Sequence, residues 1–362
     1  MGDASSPPQA PRHVCSQETP AMSLVPLRII THNIRFANTS PETHECLWED
    51  RFPHLSSHFK YHTRPHFAPQ STLVCMQEVL HRQMQDLIKH TFNTARSKAV
   101  STPGPNQEVV PTDDNDWTFV GVGRNDGKTK GEYSPIFFRK SAWRLLHFET
   151  VWLNETGEVG KKGWDASSIR ILTCAVLESS LSSAASSIQQ TSSTSENNRI
   201  ILALNTHLDD QGAVSRREAT KLIMKVASRL KSKYSPQFTF LAGDLNSHPS
   251  DDAYQLLNAP GSNFVDARRL VPDDKNVEGK LYAYGNELTF TGFAGDVGAG
   301  GRHRIDFIHL EVSGGPSNEA ELEKLKEMVQ VYGVLPSRFD DHVWMSDHRA
   351  VVVDLLVTLG SH

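Results

Sequence analysis

Short apolar runs, each closed by glycine, proline or a polar residue, recur along most of the chain. Runs of this length with β-branched and aromatic residues predict strands. They fall at Leu27–Phe36, Ser71–Val79, Trp117–Arg124, Glu132–Arg139, Ile169–Leu177, Ile200–Asp210, the stretch from Phe238 to Asp244, Arg302–His309 and Ala350–Leu356. Helical periodicity appears between them. Phe52, Leu55 and Phe59 share one face of a helix that starts near Trp48. Ala219, Leu222, Ile223, Val226, Ala227 and Leu230 form the buried stripe of another, with Ser215 and Glu218 spaced as a capping box. A short helix starts at Tyr254, and Glu319–Glu327 reads as a charged surface helix. His54, His58, His62 and His66 recur every four residues, but Pro65 interrupts them and no acid is interleaved, so they predict a solvated helix face.

The strands end unusually. The run from Phe238 closes on Gly243-Asp244-Leu245-Asn246, which places a carboxylate and an amide on one side of the strand. Five other strand ends carry Asn33, Glu78, His207, Asp306, and Asp347 with His348. Acids are depleted from strand interiors, so Glu78 and Asp306 each need a partner, a cation or solvent. Strand ends of one sheet layer can meet at one rim. The set found there, oxygen donors with histidines, suits metal-assisted phosphoester hydrolysis with Mg²⁺ or Mn²⁺ rather than zinc.

Composition narrows this picture. The 362 residues carry a net charge of −5, and the mean hydropathy is −0.42. There is no global basic footprint for nucleic acid, so a small phosphorylated metabolite is favoured over a polymer. No apolar run approaches the ~20 residues of a membrane span, and no amphipathic anchor is visible. The amino terminus lacks the basic and apolar regions of a secretory signal. Cys75 and Cys174 lie in apolar strands and read as buried reduced thiols, consistent with an intracellular, cytoplasmic monomer. Residues 1–26 are rich in Ser, Pro and Gln and predict a disordered tail; residues 27–358 predict one domain with a low-complexity insertion at 179–198.

The segments Gln77-Glu78, Asn205-Thr206-His207, Gly243-Asp244-Leu245-Asn246, Arg304-Ile305-Asp306 and Ser346-Asp347-His348 together resemble the endonuclease/exonuclease/phosphatase (deoxyribonuclease-I-like) superfamily. Further pieces, among them Lys162-Gly163-Trp164-Asp165, are similar to a branch of predicted metal-dependent hydrolases. The resemblance implies a four-layer α/β sandwich, with two facing mixed sheets flanked by helices. It implies Glu78 as principal Mg²⁺ ligand, with Asn33 and Asp347 completing or orienting that shell. Asp244 would position or deprotonate the attacking water, and Asn246 would hold that water or a phosphate oxygen. His348, oriented by Asp306, and His207 would stabilise the phosphoryl oxygens. Tyr133, Arg170, Asn205 and Asp209 are the expected substrate-binding or supporting residues. The alternatives are a nuclease or deadenylase-type phosphodiesterase, and a non-catalytic scaffold that keeps the fold.

Overall fold

The computed structural model describes residues 23–65, 67–93, 116–181, 199–272, 283–293 and 303–360. In chain order the strands are β1 (Ser23–Asn33), β2 (Leu73–Gln77), β3 (Trp117–Val120), β4 (Ile136–Arg139), β5 (Trp143–Trp152), β6 (Ile171–Ser179) and β7 (Ile200–His207). They continue with β8 (Phe238–Asp244), β9 (Phe264–Asp266), β10 (Tyr284–Gly285), β11 (Asp306–Glu311), β12 (Val329–Val334) and β13 (Val351–Leu359). The α-helices are α1 (Trp48–Thr63), α2 (His81–Asp86), α3 (Ala213–Tyr234), α4 (Asp252–Leu257) and α5 (Glu319–Met328).

The strands form two mixed sheets, seven strands in the order β10-β12-β13-β1-β2-β4-β3 and six in the order β5-β6-β7-β8-β11-β9. Strand alternation sorts the apolar residues into layers. Leu27, Ile29, Leu73 and Cys75 point inward and meet Ala175, Leu177, Ala203, Phe240, Ala242 and Ile308 of the facing sheet. Ile30, Val74 and Met76 point outward onto Leu55 and Phe59 of α1. Leu172, Cys174, Leu204 and Leu241 pack under Ala219, Ile223 and Leu230 of α3. This is the four-layer α/β sandwich expected from the sequence. No helix among the described residues is long and apolar enough to cross a membrane.

Several local expectations change. β1 begins at Ser23, and Val25 and Leu27 both enter the inter-sheet core. The tail assigned to residues 1–26 therefore reaches less far into the fold; residues 1–22, and 182–198 of the insertion, lie outside the described residues. His58 is buried rather than solvated, with its ring tilted between those of His62 and His32 at centroid separations of 4.6 and 6.0 Å. Ser215 does not cap α3. The helix starts two residues earlier, and Asp165 from a distant loop accepts the N–H groups of Val214 (3.2 Å) and Ser215 (2.6 Å) instead. Cys75 and Cys174 are buried free thiols, as expected.

The candidate active site

β1, β2, β7 and β8 run parallel in adjacent pairs, so their carboxyl ends share one edge of the sandwich. Antiparallel β11 begins there, with Asp306 directly opposite Asp244. The segment before β13 brings Ser346, Asp347 and His348 to the same edge. Residues remote in sequence thereby converge. Asn33 donates through Nδ2 to Glu78 Oε1 (2.9 Å) and to Asp244 Oδ2 (3.0 Å). Asp244 Oδ2 also lies 3.4 Å from His207 Nε2 and 3.7 Å from His348 Nε2. His348 Nδ1 meets Asp306 Oδ2 at 2.9 Å.

Two acids facing each other across adjacent strands repel, and burial makes the repulsion costly. The His348 ring between them relieves it. Although burial alone would push the imidazole down, Asp306 and Asp244 outweigh it and raise the ring to about 10. It is an imidazolium at neutral pH. Burial, reinforced by the Asp306 charge and opposed by His348, pushes the Asp244 carboxyl up to about 7. His207 behaves differently. Asn246 Nδ2 donates to Leu208 O (2.9 Å) and to His207 Nε2 (3.0 Å), which leaves the ring proton on Nδ1, 3.9 Å from Glu132 Oε2. Burial and the nearby Arg170 and Arg124 charges hold this ring neutral.

A second group of acids sits beside this chain. Glu78 follows β2 in a left-handed conformation (φ 61°), with Oε2 accepting from Phe36 N at 3.0 Å. Burial, together with the charge of Glu78, pushes the Asp347 carboxyl up; His348 and Arg35 oppose the shift. Repelling carboxylates at a partly open edge are what a hard divalent cation relieves, so Glu78 and Asp347 fit Mg²⁺ or Mn²⁺. Asn33 fits less well as a ligand than expected. Its Oδ1 accepts from Arg35 N (3.0 Å), which fixes the amide so that Nδ2 faces the acids. Asp244, Asp306 and His348 also offer ligand atoms within 4.8 Å of one another. There, however, the imidazolium already supplies the positive charge that a cation would bring.

The remaining expected residues are spread more widely. Tyr133 pairs its main chain with Val79 and shares a hydrogen bond between its hydroxyl and His81 Nδ1 (2.9 Å). Arg170 is buried and spent on Asp209 Oδ2 (3.3 Å) and Asp210 Oδ1 (2.9 Å). Asp209 in turn accepts from Ser167 N, Ser168 N and Gly212 N, so both residues brace a loop. Asn205 is not at the edge at all. It lies in the core between the sheets, donating to Met76 O and Pro135 O (both 2.9 Å) and accepting from Gln77 Nε2 (2.7 Å). Asn246 has both amide hydrogens committed, which leaves no free donor for a water or phosphate oxygen. Glu132, Arg35 and Arg51 reach the site without having been singled out. Arg35 is held by Glu42 (2.7 Å) and Glu45 (3.1 Å) and lies 3.7 Å from Asp347 Oδ2. Its position after the strand end of Asn33 was the one signal available.

No family model matches the chain, and no curated protein matches it. Solved structures do. An endonuclease/exonuclease/phosphatase from Bacteroides vulgatus is 26% identical, with 92% of this chain and 99% of that chain covered, at a TM-score of 0.66. A mannosyl-6-phosphatase of Bacteroides thetaiotaomicron is 24% identical over 91% of this chain and 99% of that one, at 0.65. A D. rerio TDP2 complexed with a single-strand DNA product is 17% identical over 91% and 98%, at 0.56. The fold these structures share is the two-sheet α/β sandwich of the deoxyribonuclease-I-like proteins. The chain belongs to the endonuclease/exonuclease/phosphatase superfamily.

Proposed function

We propose that the chain is a divalent-cation-dependent phosphoester hydrolase that acts on a small phosphorylated metabolite. The observation that carries this reading is the buried chain Asp306–His348–Asp244, which adjoins the acids Glu78 and Asp347. Those two acids would hold Mg²⁺ or Mn²⁺, with Asn33 orienting Glu78; the cation would supply Lewis-acid stabilisation of phosphoryl charge.

The chain's own groups account for the proton movements. Asp244 Oδ2, whose carboxyl lies near 7, takes the proton of the attacking water at neutral pH. Asn33 Nδ2 fixes that carboxylate from one side. His348 keeps its Nδ1 proton on Asp306, so its Nε2–H is free to donate to a phosphoryl oxygen as negative charge builds. His207, neutral and held by Asn246, bounds Asp244 on the other side. Among the described residues Arg35 Nη1 makes no hydrogen bond, and it lies 3.7 Å from Asp347 Oδ2, which makes it a better phosphate contact than the committed Arg170.

The net charge of −5 supports a small substrate over a polymer, as does the mannosyl-6-phosphatase among the structural neighbours. A diesterase reading rests on the DNA-complexed neighbour. A substrate panel separates them: sugar phosphates, p-nitrophenyl phosphate, bis(p-nitrophenyl) phosphate and single-stranded oligonucleotides, each with Mg²⁺, Mn²⁺ or EDTA. Monoester turnover that EDTA and Asp244→Asn both abolish is expected. Turnover that survives either one would place the chemistry elsewhere, and diester cleavage alone would select the nuclease reading.

A further inference from the structure

Arg51, in the first turn of α1, is wholly buried and forms no ion pair among the described residues. It donates instead to five main-chain carbonyls: Nε to Cys46 O (3.0 Å), Nη1 to Met345 O (2.7 Å) and Ile34 O (3.1 Å), Nη2 to Arg35 O and Phe36 O (both 3.3 Å). A guanidinium carries five N–H donors, and here all five are used. Its direct partners are neutral carbonyls, burial is costly to the charge, and the Glu45, Asp347 and Glu78 carboxylates offset part of that cost.

Four of the five carbonyls lie in two places: residues 34–36, whose main chain receives the Glu78 carboxylate, and Met345, which precedes Asp347. Phe36, whose carbonyl Arg51 takes, gives its N–H to Glu78 Oε2 (3.0 Å). Arg35, held in the same way, gives its N–H to Asn33 Oδ1 (3.0 Å) and has a left-handed backbone (φ 58°) that a non-glycine residue adopts only when constrained. Met345 leads directly into Ser346 and Asp347. Ser346 Oγ closes the same junction by donating to Asn33 O (2.7 Å). One guanidinium thus spans the segment that receives Glu78 and the segment that leads into Asp347. Gln83 adds a neutral tether, donating to Arg35 O (2.9 Å) and accepting from Ala37 N (3.0 Å).

We infer that Arg51 is a positioning residue that holds Glu78 and Asp347 at their cation-binding separation. The inference rests on the reading of those two acids as cation ligands. Its test is Mn²⁺ affinity, measured by calorimetry and electron paramagnetic resonance on the full chain, with melting temperatures recorded alongside. Lysine keeps the charge but cannot span both segments, so Arg51→Lys should weaken Mn²⁺ binding at least ~10-fold, the scale of losses behind a first ligand shell. Arg139→Lys is the control. Arg139 donates to Thr63 O (2.8 Å) at the far end of α1, so this variant should lower the melting temperature and leave Mn²⁺ affinity unchanged. Wild-type affinity in folded Arg51→Lys, with Glu78→Gln weakened, would overturn the inference alone. Equal Mn²⁺ affinity in wild type and Glu78→Gln would overturn the ligand reading and the inference with it. Should Arg51→Lys not fold, Arg51→Gln removes the buried charge and keeps at most two of the five donors; unchanged Mn²⁺ affinity in that variant would also overturn the inference.

Discussion

β11 carries two buried histidine–acid clusters, one on each face. Asp306 looks into the space between the sheets and meets His348 and Asp244. His309, three residues on and therefore on the opposite face, sits with Asp266, Arg304, Tyr254 and Asn258. In the second cluster the charges close. Asp266 is neutralised by Arg304 and accepts the Tyr254 hydroxyl (2.9 Å), while Asn258 Nδ2 donates to His309 Nε2 (3.1 Å). Burial, which outweighs Asp266, drives His309 down to about 4. In the first cluster the charges stay open. The acids Asp244 and Asp306 share one imidazolium, which they raise to about 10, and Glu78 and Asp347 add further negative charge. The same residue types yield a structural plug on one face and a surplus of negative charge on the other. The difference lies in whether a local cation balances the acids.

The largest effect expected beyond the dyad is at Glu78. Glu78→Gln removes one of the two repelling acids and should lower Mg²⁺ affinity and reduce turnover ~100-fold or more, with the fold intact. Calorimetry with unchanged Mg²⁺ affinity would remove Glu78 from the cation site and weaken the contrast between the two faces. Next comes Asn205, which the sequence suggested for substrate and the structure buries between the sheets. Asn205→Ala removes three buried hydrogen bonds, although Gln77 Nε2 keeps Thr31 Oγ1 and Pro135 O keeps Met76 N, and should cost about 1–3 kcal/mol by chemical denaturation. A normal melting curve with a raised KM would instead return Asn205 to the site.

The smallest effect belongs to the closed cluster. The folded His309 value of about 4 lies below its unfolded value near ~6.5, so the folded chain binds fewer protons between the two. Stability from this group is complete above ~6.5 and falls as pH drops toward 4. Between pH 7 and 5 the loss should be about 2 kcal/mol, and His309→Gln should remove most of that slope without altering kcat. Part of the overall slope persists, because burial also lowers His32 and His62 to about 4; a slope equal to that of the wild type would show that His309 does not contribute.

Much of the site was legible because strands that end on acids and histidines are costly without a purpose. Glu78, Asp244, Asp306, Asp347 and His348 were readable on that ground alone. The sandwich followed from the alternation that sends Leu27 and Ile29 inward and Ile30 outward. The misreadings share one cause, contacts made across elements. Asn205 sits in a motif beside His207, yet its partners Met76 and Pro135 belong to the other sheet. The cap of α3 comes from Asp165, about fifty residues upstream, so the local Ser215–Glu218 spacing misled. Arg51 carries no signal of its own in the sequence, because its five carbonyl partners are invisible in a linear chain.

The account stands most directly on Asp306 and His348 acting as one unit on the phosphoryl group. The measurement is kcat for Asp306→Asn, His348→Ala and the double variant, on the best substrate of the panel, with each protein confirmed folded by circular dichroism. Each single change should cut kcat by roughly 10²–10⁴-fold, and the double should be little worse than either. Losses that multiply, or an Asp306→Asn enzyme with lowered melting temperature and nearly normal kcat, would contradict it and make Asp306 as structural as Asp266.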